Sequence, residues 1–303
     1  MASDFATNPT TMTTYDDVSY ASILTDMVLD ALMAAVVTPP LLKMFDLSGQ
    51  ASKTVKIPKA DKFTAAAVAE GTELANSALT STSVTLTASE VGIQATITDV
   101  LEVSDIPAAH GARIRQLGRA MGDKLDVDIC ALFQGFANTA GATTVNLTAS
   151  NILDAIYTLE LYDAASLGQI VGVLHPRQSA DFRTELEADA GVIYGGKSDS
   201  SIAAQGPGYF GEWFGIPFYQ STNVPTSNAA ADRGGGIFIR DYALGIVQKW
   251  AAKMETMRWA PIRGWVLCVT AMYGVGEIED LAGVEVGRSP FHEDVEGIPD
   301  EPG

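Results

Sequence analysis

The sequence predicts an α+β protein organised around one long helix, and three observations carry that prediction. Residues 112–136 place Ile114, Leu117, Met121, Leu125, Ile129, Leu132 and Phe136 at steps of three and four, one stripe on a helix of 3.6 residues per turn. Residues 53–100 alternate apolar and polar side chains, with Val84 and Leu86 and then Val91, Ile93, Ala95 and Ile97 each on one face, which is a strand signature. Residues 150–220 alternate helical and strand-like stretches, the pattern of an α/β unit.

The long helix spans roughly 37 Å at 1.5 Å per residue, well above the usual helix length. Its other side carries Arg115, Arg119, Asp123, Asp126 and, nearer the edge, Asp128. Gly118 and Gly122 each cost it about 1 kcal/mol relative to alanine, so packing of the stripe must hold it. The elements on either side follow in order. Residues 1–19 are threonine-rich and aperiodic, expected to order only against something else. Tyr20 to Val37 reads as a helix with Ile23, Met27, Ala31 and Ala35 on one face, ended by Pro39 and Pro40. Lys53 to Pro58 opens a strand, Phe63 to Ala69 stays extended, and Glu70, Gly71, Thr72 and Glu73 make a polar tip. The chain returns through Ser83 to Ala88 and Val91 to Val100. A two-stranded hairpin is marginal alone in water, so this arm, with no local partner evident in the sequence, is expected to lie on another subunit.

Beyond the long helix, 137–146 reads as a loop, and Ser150 is placed to cap a helix from Asn151 to Tyr162. Ile170 to Leu174 is a continuous apolar run, expected of a strand buried on both faces, and a helix follows from Arg177 to Ala188. Residues 195–211 and 223–236 read as loops around a strand-like stretch from Glu212 to Gln220. Residues 237–278 are mostly strands, and the end of the chain is an acidic tail, expected to be disordered.

Composition narrows function more by exclusion than by assertion. A chain of 303 residues with 47% hydrophobic and 18% charged residues is long enough to bury a sizeable core. A net charge of −18 opposes any role that grips nucleic acid through neutralised phosphates, and suits a container better than a reader. Cys130 and Cys268 sit in apolar runs, as buried free thiols of a reducing cytoplasm would. There is no basic-then-apolar leader, and the apolar stretch from Met27 to Val37 is too short to span a bilayer, so a soluble cytoplasmic product without membrane contact is expected.

No chemistry assembles from the motifs. Gly206, Gly208 and Gly211 match the spelling of a dinucleotide loop, but proline occupies the turn and no strand-to-helix unit opens there. His110, His175 and His292 are scattered, and neither cysteine has metal-ligand spacing to them. His175 alone stands where a strand ends beside a helix, a place that suits a cap or turn better than a catalyst. Asp126 and Asp128 point to different helix faces and form no carboxylate pair. No enzyme activity, cofactor or metal is therefore expected.

The order of elements, and a set of phrases within them, resembles the major capsid protein family of tailed bacteriophages, whose fold is shared with encapsulin shells. The phrases are KTVKIP at 53–58, VAEG at 68–71, VGIQATI at 91–97, VLHP at 173–176 with Gln178 and Phe182, and FGIPF at 214–218 with Ser221, Val224 and Pro225. The resemblance implies the α+β tailed-phage capsid fold: an N-terminal arm (1–52), a long β-hairpin extended loop (53–98), a peripheral domain with the spine helix (99–145 and 243–265), an α/β axial domain (146–242 and 266–285) and an acidic tail (286–303). It implies a structural protein that assembles as hexamers and pentamers into an icosahedral head, in the bacterial cytoplasm, around double-stranded DNA held without sequence-specific contacts. The implied partners are further copies of itself, a portal protein at one vertex and, as an option, a decoration protein. Some relatives carry an N-terminal scaffolding segment of roughly a hundred residues, and with 52 residues before the hairpin here a separate scaffolding protein, or none, is expected. Lys56, Lys59, Lys62, Glu70 and Glu73 become candidate subunit-interface residues, with the tip acids placed to pair with a neighbour's basic groups. Some relatives join an extended-loop lysine to a peripheral-domain asparagine. Here no asparagine follows Asn228, so no such crosslink is expected. Two other readings stay open: an encapsulin-type cargo compartment, and an α/β enzyme with His175 at its site.

Overall fold

In a computed structural model of the chain, the described residues are 25–33, 36–60, 65, 67–68, 71, 81–104, 107–141, 146–162, 168–188, 208–227 and 232–290. The helices are α1 (25–33), α2 (Asp99–Ser104), α3 (Pro107–Cys130), α4 (Ala149–Leu161) and α5 (Pro176–Ala188). The first strands are β1 (Lys43–Asp46), β2 (Thr54–Ala60), β3 (Ser81–Thr87), β4 (Ser89–Thr98), β5 (Asn138–Ala140) and β6 (Ile170–Leu174). They continue with β7 (Tyr209–Trp213), β8 (Ile216–Gln220), β9 (Thr226–Ser227), β10 (Asp232–Ile239), β11 (Leu244–Trp259), β12 (Gly264–Glu277) and β13 (Gly283–Pro290).

The predicted long helix is α3, and its stripe works as expected. Ile114, Leu117 and Met121 pack on Ile97, Met254, Leu267 and Val269 of a four-stranded sheet ordered β1-β11-β12-β4. The helix begins at Pro107 rather than Ala112, because proline suits a first helical turn that has no use for its N–H. Past Cys130 it tightens into a 3-10 turn over Ala131–Gly135. Gly118 is more than a weak point. A β-carbon there would lie 2.5 Å from the Val28 carbonyl oxygen, so α1 crosses α3 at that glycine and buries Val28 and Ala31 against it.

The second half of α3 enters another core. Ile129, Cys130, Phe133 and Phe136 join the interior of a seven-stranded sheet ordered β5-β13-β10-β6-β8-β7, with β9 paired to β10. The Phe133 and Phe136 rings lie 5.7 and 6.4 Å from the Phe238 ring. β6 is buried at four of its five positions, as its unbroken apolar run predicts, between antiparallel β10 and parallel β8. α4 and α5 pack on this sheet.

Several expectations are corrected by strand partners that lie far away in the sequence. β12, assigned with the axial stretch from residue 266 onward, pairs along its length with β11 and β4 instead. Residues 286–290, read as the start of the acidic tail, complete β13, which pairs with β10. Residues 138–140, read as loop, form β5 parallel to β13. Residues 209–211 and 232–236, also read as loop, belong to β7 and β10, because a glycine-rich run can be strand wherever a neighbour packs onto it. Gly236, for example, leaves the room that the Phe133 ring fills. α4 starts at Ala149, capped not by Ser150 but by the Thr148 hydroxyl, which accepts from the Asn151 N–H. Cys130 is buried as expected, while Cys268 is only half-buried.

Candidate subunit-interface site

The hairpin arm begins with β2 and β3 in antiparallel register, Val55 opposite Leu86 and Ile57 opposite Val84. Residues directly opposite share a face, so these four form one apolar side. That side has a partner within its own chain, contrary to expectation. Leu86 and Ala88 are buried with Leu47 and Val247, and Val55, Ile57 and Val84 pack against them with Phe45 and Met272. The arm crosses the four-stranded sheet where Gly274 and Gly276 remove side chains: a β-carbon would lie 2.1 Å from the Thr87 carbonyl oxygen at one and 2.5 Å from Leu86 Cδ2 at the other. β1 and β11 lie about two hundred positions apart in the sequence, so the seat they form was not legible there.

The five candidate residues divide accordingly. Lys56 stands exposed on the polar side of β2, opposite Thr85. Lys59 faces the apolar side and forms an ion pair within its chain, Nζ to Glu279 Oε2 at 2.7 Å. It ties the arm to the segment between the two sheets. Burial and then the nearby Asp280 push the Glu277 carboxyl above its ordinary pKa at the same junction. Lys62, Glu70 and Glu73, and the N-terminal arm before residue 25, lie outside the described residues.

Sequence reasoning missed a second surface, at the corner where β11 turns into β12. The Arg258 guanidinium holds the Asp99 carboxylate through two hydrogen bonds, 3.1 and 2.8 Å, and the Asp99 N–H donates to the Arg263 carbonyl at 2.8 Å. These bonds bring α2 beside the turn and gather Val100, Leu101, Met257, Trp259 and Ile262 at one exposed corner; Val100 is 75% exposed and Met257 60%. Beside them a cleft of about 360 Å³ opens between Gln94, Glu255, Trp259, Val266 and Cys268, on the sheet face away from α3. Exposed large apolar side chains gathered in this way make a candidate interaction surface. The signal was present as a run of large apolar residues around Pro261, but without a fold it reads as more strand.

Sequence reasoning also misplaced Asp126. It is fully buried, where the helix stripe put it outside. Its carboxylate accepts from the Thr38 N–H at 3.0 Å, the Thr38 hydroxyl, the Ser221 hydroxyl and the Asn223 side-chain amide at 3.1 Å. One side chain of α3 thus gathers the segment after α1 and the loop after β8. The clue was that Cys130 and Phe133 lie four and seven residues on, so this face turns apolar in the second half of the helix. Burial and the Asp126 charge push the Cys130 thiol well above its ordinary pKa, which keeps it protonated and inert.

His175 caps α5: its Nδ1 accepts from the Arg177 N–H at 3.0 Å. Gln178 is buried, accepts from the His175 N–H and donates to the Val286 carbonyl at 3.0 Å. Of the dinucleotide-like glycines, Gly206 lies outside the described residues, Gly208 precedes β7 and Gly211 lies within it, and the next element is β8. Among the described residues, no group of three or more His, Cys, Asp or Glu is placed to hold a metal ion, and no helix is long and apolar enough to cross a membrane.

No protein-family model and no curated protein matches the sequence. Solved structures do match. The capsid of Cyanophage P-SCSP1u is 15% identical with a TM-score of 0.59, over 84% of this chain and 89% of that one. The capsid of Ralstonia phage GP4 is 10% identical with a TM-score of 0.61, over 85% and 90%. A virus-like particle from Pyrococcus furiosus is 10% identical with a TM-score of 0.58, over 88% and 99%.

Proposed function

We infer, from a chain that carries the tailed-phage major capsid fold, that this protein is a structural subunit whose copies assemble as hexamers and pentamers into an icosahedral phage head around double-stranded DNA. The observation that carries the reading is the fold match itself, which extends over 84% and 85% of this chain and 89% and 90% of the two phage capsid chains. The exposed apolar corner supports it, since such a patch gains free energy only when another surface covers it. The negative charge fits a wall that encloses DNA without reading it. Assembly takes place in the bacterial cytoplasm, with a portal protein, a separate scaffolding protein and a decoration protein as partners. Lys56, Lys62, Glu70 and Glu73 serve between subunits, while Lys59 is engaged within its own chain. Catalysis has no part in this function.

Negative-stain electron microscopy of the purified protein, with size-exclusion chromatography beside it, tests the reading. Closed shells of uniform diameter, or rings of five and six copies, are expected. A species that stays monomeric across concentration and salt would reverse it. The similarity to the archaeal particle favours a second reading, a shell that packages protein. Protein rather than DNA recovered from the particles would select it.

A further inference from the structure

The unit built on the seven-stranded sheet exposes two unlike apolar surfaces on opposite sides. The first is on α4, which buries Ile152, Ala155, Ile156 and Leu159 against β13 and β5. On its other side Leu153, Tyr157 and Leu161, spaced four apart, are 46%, 61% and 69% exposed. A helix that is apolar on both faces belongs to a buried position, so the outward stripe calls for a cover. Asp154 and Glu160 flank that stripe, both exposed.

The second surface is the turn between β7 and β8. Phe214 and Gly215 both have positive φ, 52° and 77°, the requirement of a two-residue hairpin turn that favours Asn-Gly. A bulky residue is costly at the first of these positions. Phe214 is not buried in its own chain for that cost: it stands 51% exposed. Arg183 lies at the same side, its guanidinium 4.3 Å from the centre of the Phe210 ring, which itself packs on the Trp213 ring at 4.5 Å with the planes tilted by 42°. Glu212 is the acid nearby.

β13 and β7 are four strand spacings apart, roughly 19 Å. Two different apolar surfaces at opposite ends of one sheet suit a head-to-tail contact, which closes into a ring when the rotation allows. Asp154 and Glu160 beside the stripe are opposite in charge to Arg183 on the side of the turn, where the nearby acid is Glu212. We propose that Phe214 of one copy docks on the Leu153, Tyr157 and Leu161 stripe of the next copy around a ring, with Arg183 facing Asp154 or Glu160. This rests on the assembly reading and assigns the contact within each ring.

The test uses full-length chains carrying Cys268→Ser, in which the remaining native thiol, Cys130, is buried. One chain carries Glu212→Cys, a second Glu160→Cys, exposed positions that leave Phe214, Leu153, Tyr157, Leu161 and Asp154 in place, and the two are co-expressed, treated with a short bis-maleimide and run on a denaturing gel. A cross-linked dimer that needs both variants is expected, with a ladder to ring size when one chain carries both. Phe214→Asp should weaken ring formation about tenfold or more, as loss of one central aromatic anchor does, while its thermal transition stays at the parent value. Dimers from either single-cysteine chain alone would mean a symmetric contact and overturn the proposal. So would rings visible in the microscope without the mixed cross-link. If no rings or shells form from the parent protein, the assembly reading fails, and this contact with it.

Discussion

Asp126 shows how one side chain decides the relation of three segments. A buried carboxylate is tolerated only with its oxygens satisfied, and here four donors meet it from Thr38, Ser221 and Asn223. Asp126→Ala leaves those donors without their acceptor in a dry site, and it is expected to cost about 3–5 kcal/mol. Asp126→Asn keeps one acceptor oxygen and should lose less. Urea unfolding followed by circular dichroism measures both, and a loss under about 1 kcal/mol for the alanine variant would show that the network is not a structural joint. The four groups are remote in sequence, |i−j| of 88 between Asp126 and Thr38 and 95 to Ser221, so nothing local announced the site.

At the scale of elements, α3 serves two cores because its apolar face turns along its length. The first half meets the four-stranded sheet through Ile114, Leu117 and Met121, the second meets the seven-stranded sheet through Ile129, Cys130 and Phe133. The crossing with α1 depends on Gly118, where no β-carbon fits beside the Val28 carbonyl. Gly118→Ala raises helix propensity yet forces the two helices apart, and the net effect is expected to be a loss of about 1–3 kcal/mol. An unchanged or higher melting temperature would mean that α1 can shift at little cost. The hairpin arm makes a related point. Its alternation was plain in the sequence, but its seat on Leu47 and Val247 depends on a parallel pairing of β1 with β11 that no turn signal connects.

For the whole molecule, what matters is the surface left uncovered. The corner formed by Val100, Leu101, Met257, Trp259 and Ile262 is held in place by the Arg258–Asp99 bonds, so it is presented as a rigid patch. Val100→Asp combined with Ile262→Asp should leave stability within about 0.5 kcal/mol, as exposed substitutions do, while particles disappear from the micrographs. Collapse of the cooperative thermal transition would instead place the corner in the chain's own core. The phrases that carried the family resemblance acquire physical roles at this scale. Val173, Phe182 and Phe218 fill the core, Gln178 joins α5 to β13, and Ser221 holds Asp126.

The sequence by itself determined the spine helix with its stripe, the strands of clear alternation or unbroken apolar run, and the fold family, because periodicity is a local property of a chain. It also placed His175 at a turn, since a proline and a helix start beside it leave little else for the imidazole to do. The tertiary structure alone decided which sheet receives β12, that the 283–290 segment is a strand, that Lys59 belongs to its own chain and that Asp126 is inside. Each of those depends on partners that are not local in the sequence. Strand pairing and burial are set by which surfaces meet, and a strand reads the same in sequence whichever neighbour it finds.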